Sequence, residues 1–166
     1  MAAILYALEA PKYGGDTLFS NQYLAFESLS VGMKQMLNGL KAIHNDVRVA
    51  GPKAGFNSKR TTQVREDDGW TLTENAHPVV RIHPETKRKS LFINSTYVQN
   101  IEGMTIEESA AILNYLYEHA TKPEFSCRFR WRTGSVAFWD NRCVQHLAIN
   151  DSNNATRRMQ RTQLLG

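Results

Sequence analysis

The stretch FSCRFRWRTGSVAFWDNRCVQHLAIND, residues 125–151, decides the fold. In its first third Cys127, Phe129 and Trp131 alternate with Arg128, Arg130 and Arg132. That period of two puts an apolar row on one face of a strand and a cationic row on the other. SVAFWD and CVQHLAI continue as two further strands, separated by the polar, turn-prone Asp140, Asn141 and Arg142. His146 therefore falls on a strand just after a bend. A single histidine in an apolar strand is commonly a hydrogen-bonded core residue. A rigid strand leaving a turn is also how proteins present metal ligands, so both readings stay open here.

Working outward, AAILYALEA, PKYGGD and TLFSN (residues 2–21) read as strand, turn, strand, with Pro11, Gly14 and Gly15 as turn chemistry. Gly14 to Thr17, GGDT, lacks the Lys-Ser/Thr ending of a P-loop. Apolar residues recur at three and four from Gln22 to Leu40, predicting a helix broken near Ser30 to Gly32. Periodicity is lost from Gly51 to Ala76, which predicts a lid or insert loop over 51–76. HPVVRIH, SLFIN and STYVQNI are strand-like. Thr105 with Glu108 forms a capping box that opens a second helix, and Pro123 stops it. MQRTQLL predicts a last strand. Many short strands with one or two outer helices imply a mainly β sandwich or jelly roll, as a single domain over 1–166.

Twenty Lys and Arg against sixteen Asp and Glu leave a net charge of +4, a weak pointer to nucleic acid or small anions. The CRFRWR strand could offer RNA basic and aromatic contacts, but alternation between a buried and a solvated face explains it better. Two cysteines, Cys127 and Cys143, favour a reducing, cytoplasmic compartment over a disulfide framework. No apolar run reaches transmembrane length, and MAAILYAL lacks the basic lead of a signal peptide. The abrupt start on an apolar strand is the pattern expected of a fragment.

Near the end, Arg157, Met159 and Arg161 share one strand face. Two guanidiniums facing inward need anionic partners, and a carboxylate held in a bidentate fork is the natural match. A solvated basic edge strand is the competing reading. For His146, two histidines and one carboxylate would suit non-haem Fe(II). His44-Asn45-Asp46 and His83-Pro84-Glu85 are formal His-x-acid matches, against about half a match expected by chance. His44 reads as the close of a helix-like segment and His83 as a strand end, and both are set aside.

FWDNRCVQHLAIND followed by RRMQR, with GGDT upstream and HPVVRIHPETKRKSLFIN between, resembles the taurine/2-oxoglutarate-dependent non-haem Fe(II) dioxygenase family. The resemblance runs through nearly the whole chain. It implies a double-stranded β-helix (jelly roll), incomplete here, and cofactors Fe(II) and 2-oxoglutarate. It also implies hydroxylation, with O2, of a small, anionic substrate, without nucleic acid or membrane partners and with homo-oligomers common among relatives. His146 matches the distal iron ligand. Thr17, Arg157 and Arg161 match residues facing the cosubstrate, and Arg161 also faces the substrate. Phe92, Asn94 and Trp139 match the substrate side loosely. The family's His-x-Asp lies before the GGDT turn, yet the sixteen residues before Thr17 hold no histidine. An N-terminally incomplete enzyme or a short relative without iron chemistry would each explain this. On either account the chain alone is expected to be inactive, and the rival from another class is a non-catalytic jelly-roll module binding a small carboxylate or sulfonate.

Overall fold

A computed structural model describes residues 1–51, 54, 71–152 and 155–164. The elements are β1 (Ala2–Glu9), β2 (Thr17–Asn21), α1 (Gln22–Glu27), α2 (Val31–Leu37), β3 (Lys41–Asn45), α3 (Val47–Ala50), β4 (Glu74–Pro78) and β5 (Val80–Ile82). They continue as β6 (Lys89–Leu91), β7 (Val98–Ile101), α4 (Ile106–Ala120), β8 (Ser126–Phe129), β9 (Val136–Asp140), β10 (Val144–Ala148) and β11 (Arg158–Leu164). The expected lid lies outside the described residues at 52–53 and 55–70, and its far end, Glu74 to Ala76, belongs to β4. No described helix is long and apolar enough to cross a membrane.

The chain divides into two compact units, residues 1–29, 81–91 and 120–166, and residues 30–80 and 92–119. The first holds two antiparallel three-stranded sheets, ordered β11-β1-β9 and β10-β2-β8. Consecutive strands go to opposite sheets: β1 then β2, β8 then β9, β10 then β11. The turn over PKYGGD therefore closes no hairpin and instead carries the chain from one sheet to the other. This winding makes the unit a jelly roll, as the sequence led one to expect.

Its core follows from alternation. On β9 Ala137 and Trp139 are buried while Val136 and Phe138 are exposed. Ala3 and Ala7 of β1 are fully buried and small, leaving room for the indoles of Trp131 and Trp139. Leu5, Phe19, Phe129, Val144 and Met159 complete the layer between the sheets.

In the second unit β3 lies between β4 and β7, with α2 and most of α4 in the same unit. The predicted helix over 22–40 is two helices. Asn21 caps the first through its carbonyl oxygen and Ser30 caps the second. The strand β3 was missed: His44 sits within it, not at a helix end. Thr105 and Glu108 form the predicted reciprocal cap at 2.8 and 3.2 Å.

Candidate functional site

Register places the candidate residues. On the β10-β2 ladder His146 is opposite Phe19 and Ala148 is opposite Thr17. Directly opposed residues share a face, and Phe19 points into the core, so Thr17 and His146 look inward too. On the other sheet Met159 is opposite Ala7 and Arg161 opposite Leu5. Ala7, Leu5 and Met159 are core residues, so Arg161 shares their inward face. Thr17, His146 and Arg161 thus share the inward faces of the two sheets by register, although His146 and Arg161 are solvent-exposed. Arg157 precedes β11 and is placed by its own contacts with Gly15 and Trp131.

His146 is held between aromatic rings. Its centroid lies 4.9 Å from that of Trp139 and 6.3 Å from that of Phe19. Trp139 is itself fixed, donating its indole N–H to Oδ1 of Asn141 at 2.9 Å. The outer edge of the His146 ring is open, yet the surrounding sheet strips enough hydration to push its pKa down, and Arg161 adds to the effect. The imidazole is therefore neutral at pH 7, with a lone pair available to a metal. Among the described residues no three-ligand group includes His146.

The anion end is better furnished. Thr17 is buried, and its hydroxyl oxygen accepts the indole N–H of Trp131 at 2.9 Å. That leaves the hydroxyl hydrogen for another acceptor. Arg157 donates Nε–H to the carbonyl of Gly15 at 2.9 Å, and its guanidinium carbon lies 5.8 Å from the Trp131 ring centroid. Partial burial pushes its pKa down while Asp16 partly restores it. Arg157 makes no ion pair among the described residues, and Asp16 is taken by Arg128, Nε to Oδ2, at 2.6 Å. A half-buried guanidinium whose outer nitrogens meet no acid among the described residues has the geometry to pair with a carboxylate.

Two loosely assigned residues belong to the second unit. Phe92 and Asn94 follow β6 instead of lying in a strand. There Phe92 stacks on His44, centroids 5.5 Å apart and planes 19° apart, while His77 meets both rings edge-on. Asn94 accepts the N–H groups of Thr96 and Tyr97, which commits its side-chain oxygen to a turn.

His83, set aside as a ligand on sequence grounds, is buried against Asp140, Nε2 to Oδ2, at 3.1 Å. Its Nδ1 accepts the N–H groups of Glu85 and Thr86, so Nε2 carries the proton and donates it. Burial pushes the Asp140 carboxyl up, but the side-chain and backbone donors of Arg142, with His83, hold it well below the usual range. Cys143 lies close to this pair, yet a metal would have to displace both the Nε2 proton and Arg142. The geometry is that of a structural brace under the β9–β10 turn.

The roles of Asp16, Arg128, Trp131 and Asp151 were not visible in the sequence. Arg128 counted only as one of three solvated cations, and the Asp of GGDT as turn chemistry.

A sequence model described as "Taurine catabolism dioxygenase TauD, TfdA family" matches residues 1–163. An alkylsulfatase of Acinetobacter baylyi is 36% identical over 165 residues, covering 99% of this chain and 52% of that protein. The crystal structure of a taurine dioxygenase from Burkholderia xenovorans superposes with a TM-score of 0.79 at 40% identity, over 99% of this chain and 52% of that one. AAD-2, solved with Mn(II) and N-oxalylglycine, gives a TM-score of 0.80 at 28% identity over 96% and 61%. The chain spans about half the length of such relatives.

Proposed function

Because this chain belongs to the taurine catabolism dioxygenase TauD, TfdA family, we propose that it carries the cosubstrate-gripping part of an Fe(II)- and 2-oxoglutarate-dependent dioxygenase. The substrate of the whole enzyme is a small anion, of the sulfonate or sulfate-ester class. The supporting observation is Arg157: half-buried, fixed through Nε to Gly15, and without an acidic partner among the described residues. Family membership and the N-oxalylglycine complex of AAD-2, whose ligand is an isostere of 2-oxoglutarate, support the same reading.

Bound Fe(II) would supply the activation of O2 for hydroxylation of the substrate, with 2-oxoglutarate as the co-reductant. The residues of this chain do the positioning. Arg157 and the hydroxyl of Thr17 take the far carboxylate of the cosubstrate, and Trp131 holds both in place from beneath. His146 offers one neutral imidazole to the metal. Arg161, on the same inward face, supplies the positive charge that an anionic substrate needs. Trp139 and Phe19 set aromatic rings beside His146 on that face. Both thiols are free, in keeping with a reducing cytoplasm.

The test is direct binding of 2-oxoglutarate by calorimetry to wild type and Arg157→Lys. Lysine keeps the charge and loses the fork, so the dissociation constant should rise about tenfold. An unchanged constant removes Arg157 from this role.

One observation favours a second reading. Since His146 joins no three-ligand group among the described residues, the chain could serve as a carboxylate- or sulfonate-binding jelly roll without redox chemistry. Calorimetric titration with Fe(II) tests this second reading: tight one-to-one binding would show a complete metal site and overturn it.

A further inference from the structure

We propose that Arg128 is a positioning residue for the anion receptor: an Asp16–Arg128–Asp151 ion triad fixes the Gly15 peptide, and through it Arg157 and Thr17. The inference rests on the cosubstrate reading above for its ligand and on geometry alone for its mechanics. Arg128 bridges two carboxylates at once, Nε to Asp16 at 2.6 Å and Nη2 to Asp151 at 3.1 Å. Asp16 is buried, its side chain only 7% exposed, whereas the side chain of Arg128 is half exposed. A buried carboxylate is costly without its cation, so Arg128 is held to Asp16 firmly.

The far arm of the triad reaches Gly15. Asp151 accepts the Gly15 N–H through Oδ1 at 2.6 Å, while Arg157 donates to the Gly15 carbonyl. One residue thus takes the triad on its N–H and the receptor arginine on its C=O. A larger residue would be strained there: Gly15 has φ +69°, and a Cβ would lie 3.0 Å from Cδ of Arg157, which would have to give way. Gly14, at φ +76°, is tighter still against the backbone of Asp151. Each residue of GGDT thereby gains a separate duty. Gly14 admits Asp151, Gly15 admits Arg157, Asp16 anchors Arg128, and Thr17 presents the hydroxyl.

The signal of positioning is spectroscopic. In 15N-labelled chain the Trp131 indole N–H and the Arg157 Nε–H report on Thr17 and Gly15 directly. Arg128→Gln should move both resonances without ligand and weaken 2-oxoglutarate binding roughly five- to tenfold. Arg128→Lys, which keeps charge but cannot span both carboxylates, should fall between. Asp151→Asn provides the same test if Arg128→Gln unfolds, and a double-mutant cycle of the two should be non-additive. Unmoved resonances in a folded Arg128→Gln or Asp151→Asn chain, or wild-type affinity in both, overturn the proposal. Failure of wild type to bind 2-oxoglutarate overturns the cosubstrate reading instead, and the ligand-free resonances still decide the role of Arg128.

Discussion

Trp131 gives its indole proton to the hydroxyl of Thr17 at 2.9 Å, joining two residues that are both buried and 114 positions apart in the chain. The bond orients the hydroxyl by occupying one of its acceptor positions, so the remaining hydrogen points elsewhere. Trp131→Phe keeps most of the ring contact with Phe129, 4.7 Å between centroids, and removes the donor. It should cost about 1 kcal/mol in denaturant unfolding and weaken 2-oxoglutarate binding several-fold. Thr17→Val should reproduce both effects.

Gly14 and Gly103 make a matched pair. Both have positive φ, +76° and +79°, but a Cβ at Gly14 would lie 2.4 Å from the carbonyl oxygen of Asp151, while Gly103 meets nothing within 4 Å. Gly103→Ala should cost only the left-handed backbone penalty, about 1 kcal/mol. Gly14→Ala adds a backbone collision and should cost about 2–4 kcal/mol, read as a difference in unfolding midpoints. Equal losses would mean that the turn can move away from Asp151.

His44 gives a pH signature. Burial, with His77 nearby, lowers its pKa from 6.5 to about 4, against a bond to the Phe92 backbone that raises it; its Nε2 is buried without a hydrogen-bond partner. A folded-state pKa below the unfolded one means the fold prefers the neutral ring. The associated stability is complete above pH 6.5 and is lost as pH falls toward 4, by about 1–3 kcal/mol. Urea unfolding at pH 7.5 and pH 4.5 should show the drop in wild type. His44→Gln should flatten it.

Asp140 braces the turn that leads into the His146 strand. Asp140→Asn leaves His83 Nε2 and Arg142 facing an amide, and breaking such a half-buried network should cost about 2–4 kcal/mol. If the cluster were a metal site, Zn(II) would raise the melting temperature of wild type and not of Asp140→Asn. No such shift is expected, because His83 already uses both ring nitrogens.

Of the strands that line the site, β9 was legible because it alternates cleanly, Ala137 and Trp139 against Val136 and Phe138, whereas β10 and β11 show no such alternation of burial. The capping box at Thr105 was legible for the same local reason. β3 was not, since Lys41 to Asn45 carries no clear period of its own. Which strands pair was also hidden, because turn residues such as Gly14 and Gly15 mark a change of direction without saying which sheet the chain enters next. Arg128 lay beyond reach for a related reason. Its partners Asp16 and Asp151 are distant in sequence, and an arginine on an outward row looks solvated until the turn that covers it is placed.

The alternation of strands between sheets has a consequence for biosynthesis. Ala2 pairs with Leu164, and Phe19 with His146, so β1 and β2 meet these partner strands only after most of the intervening chain has been made. Loop closure over such separations makes assembly slow. Until β9 and β11 emerge, the apolar AILYAL segment lacks these two partners, which makes it a natural client for chaperones and a place where aggregation of the nascent chain would begin.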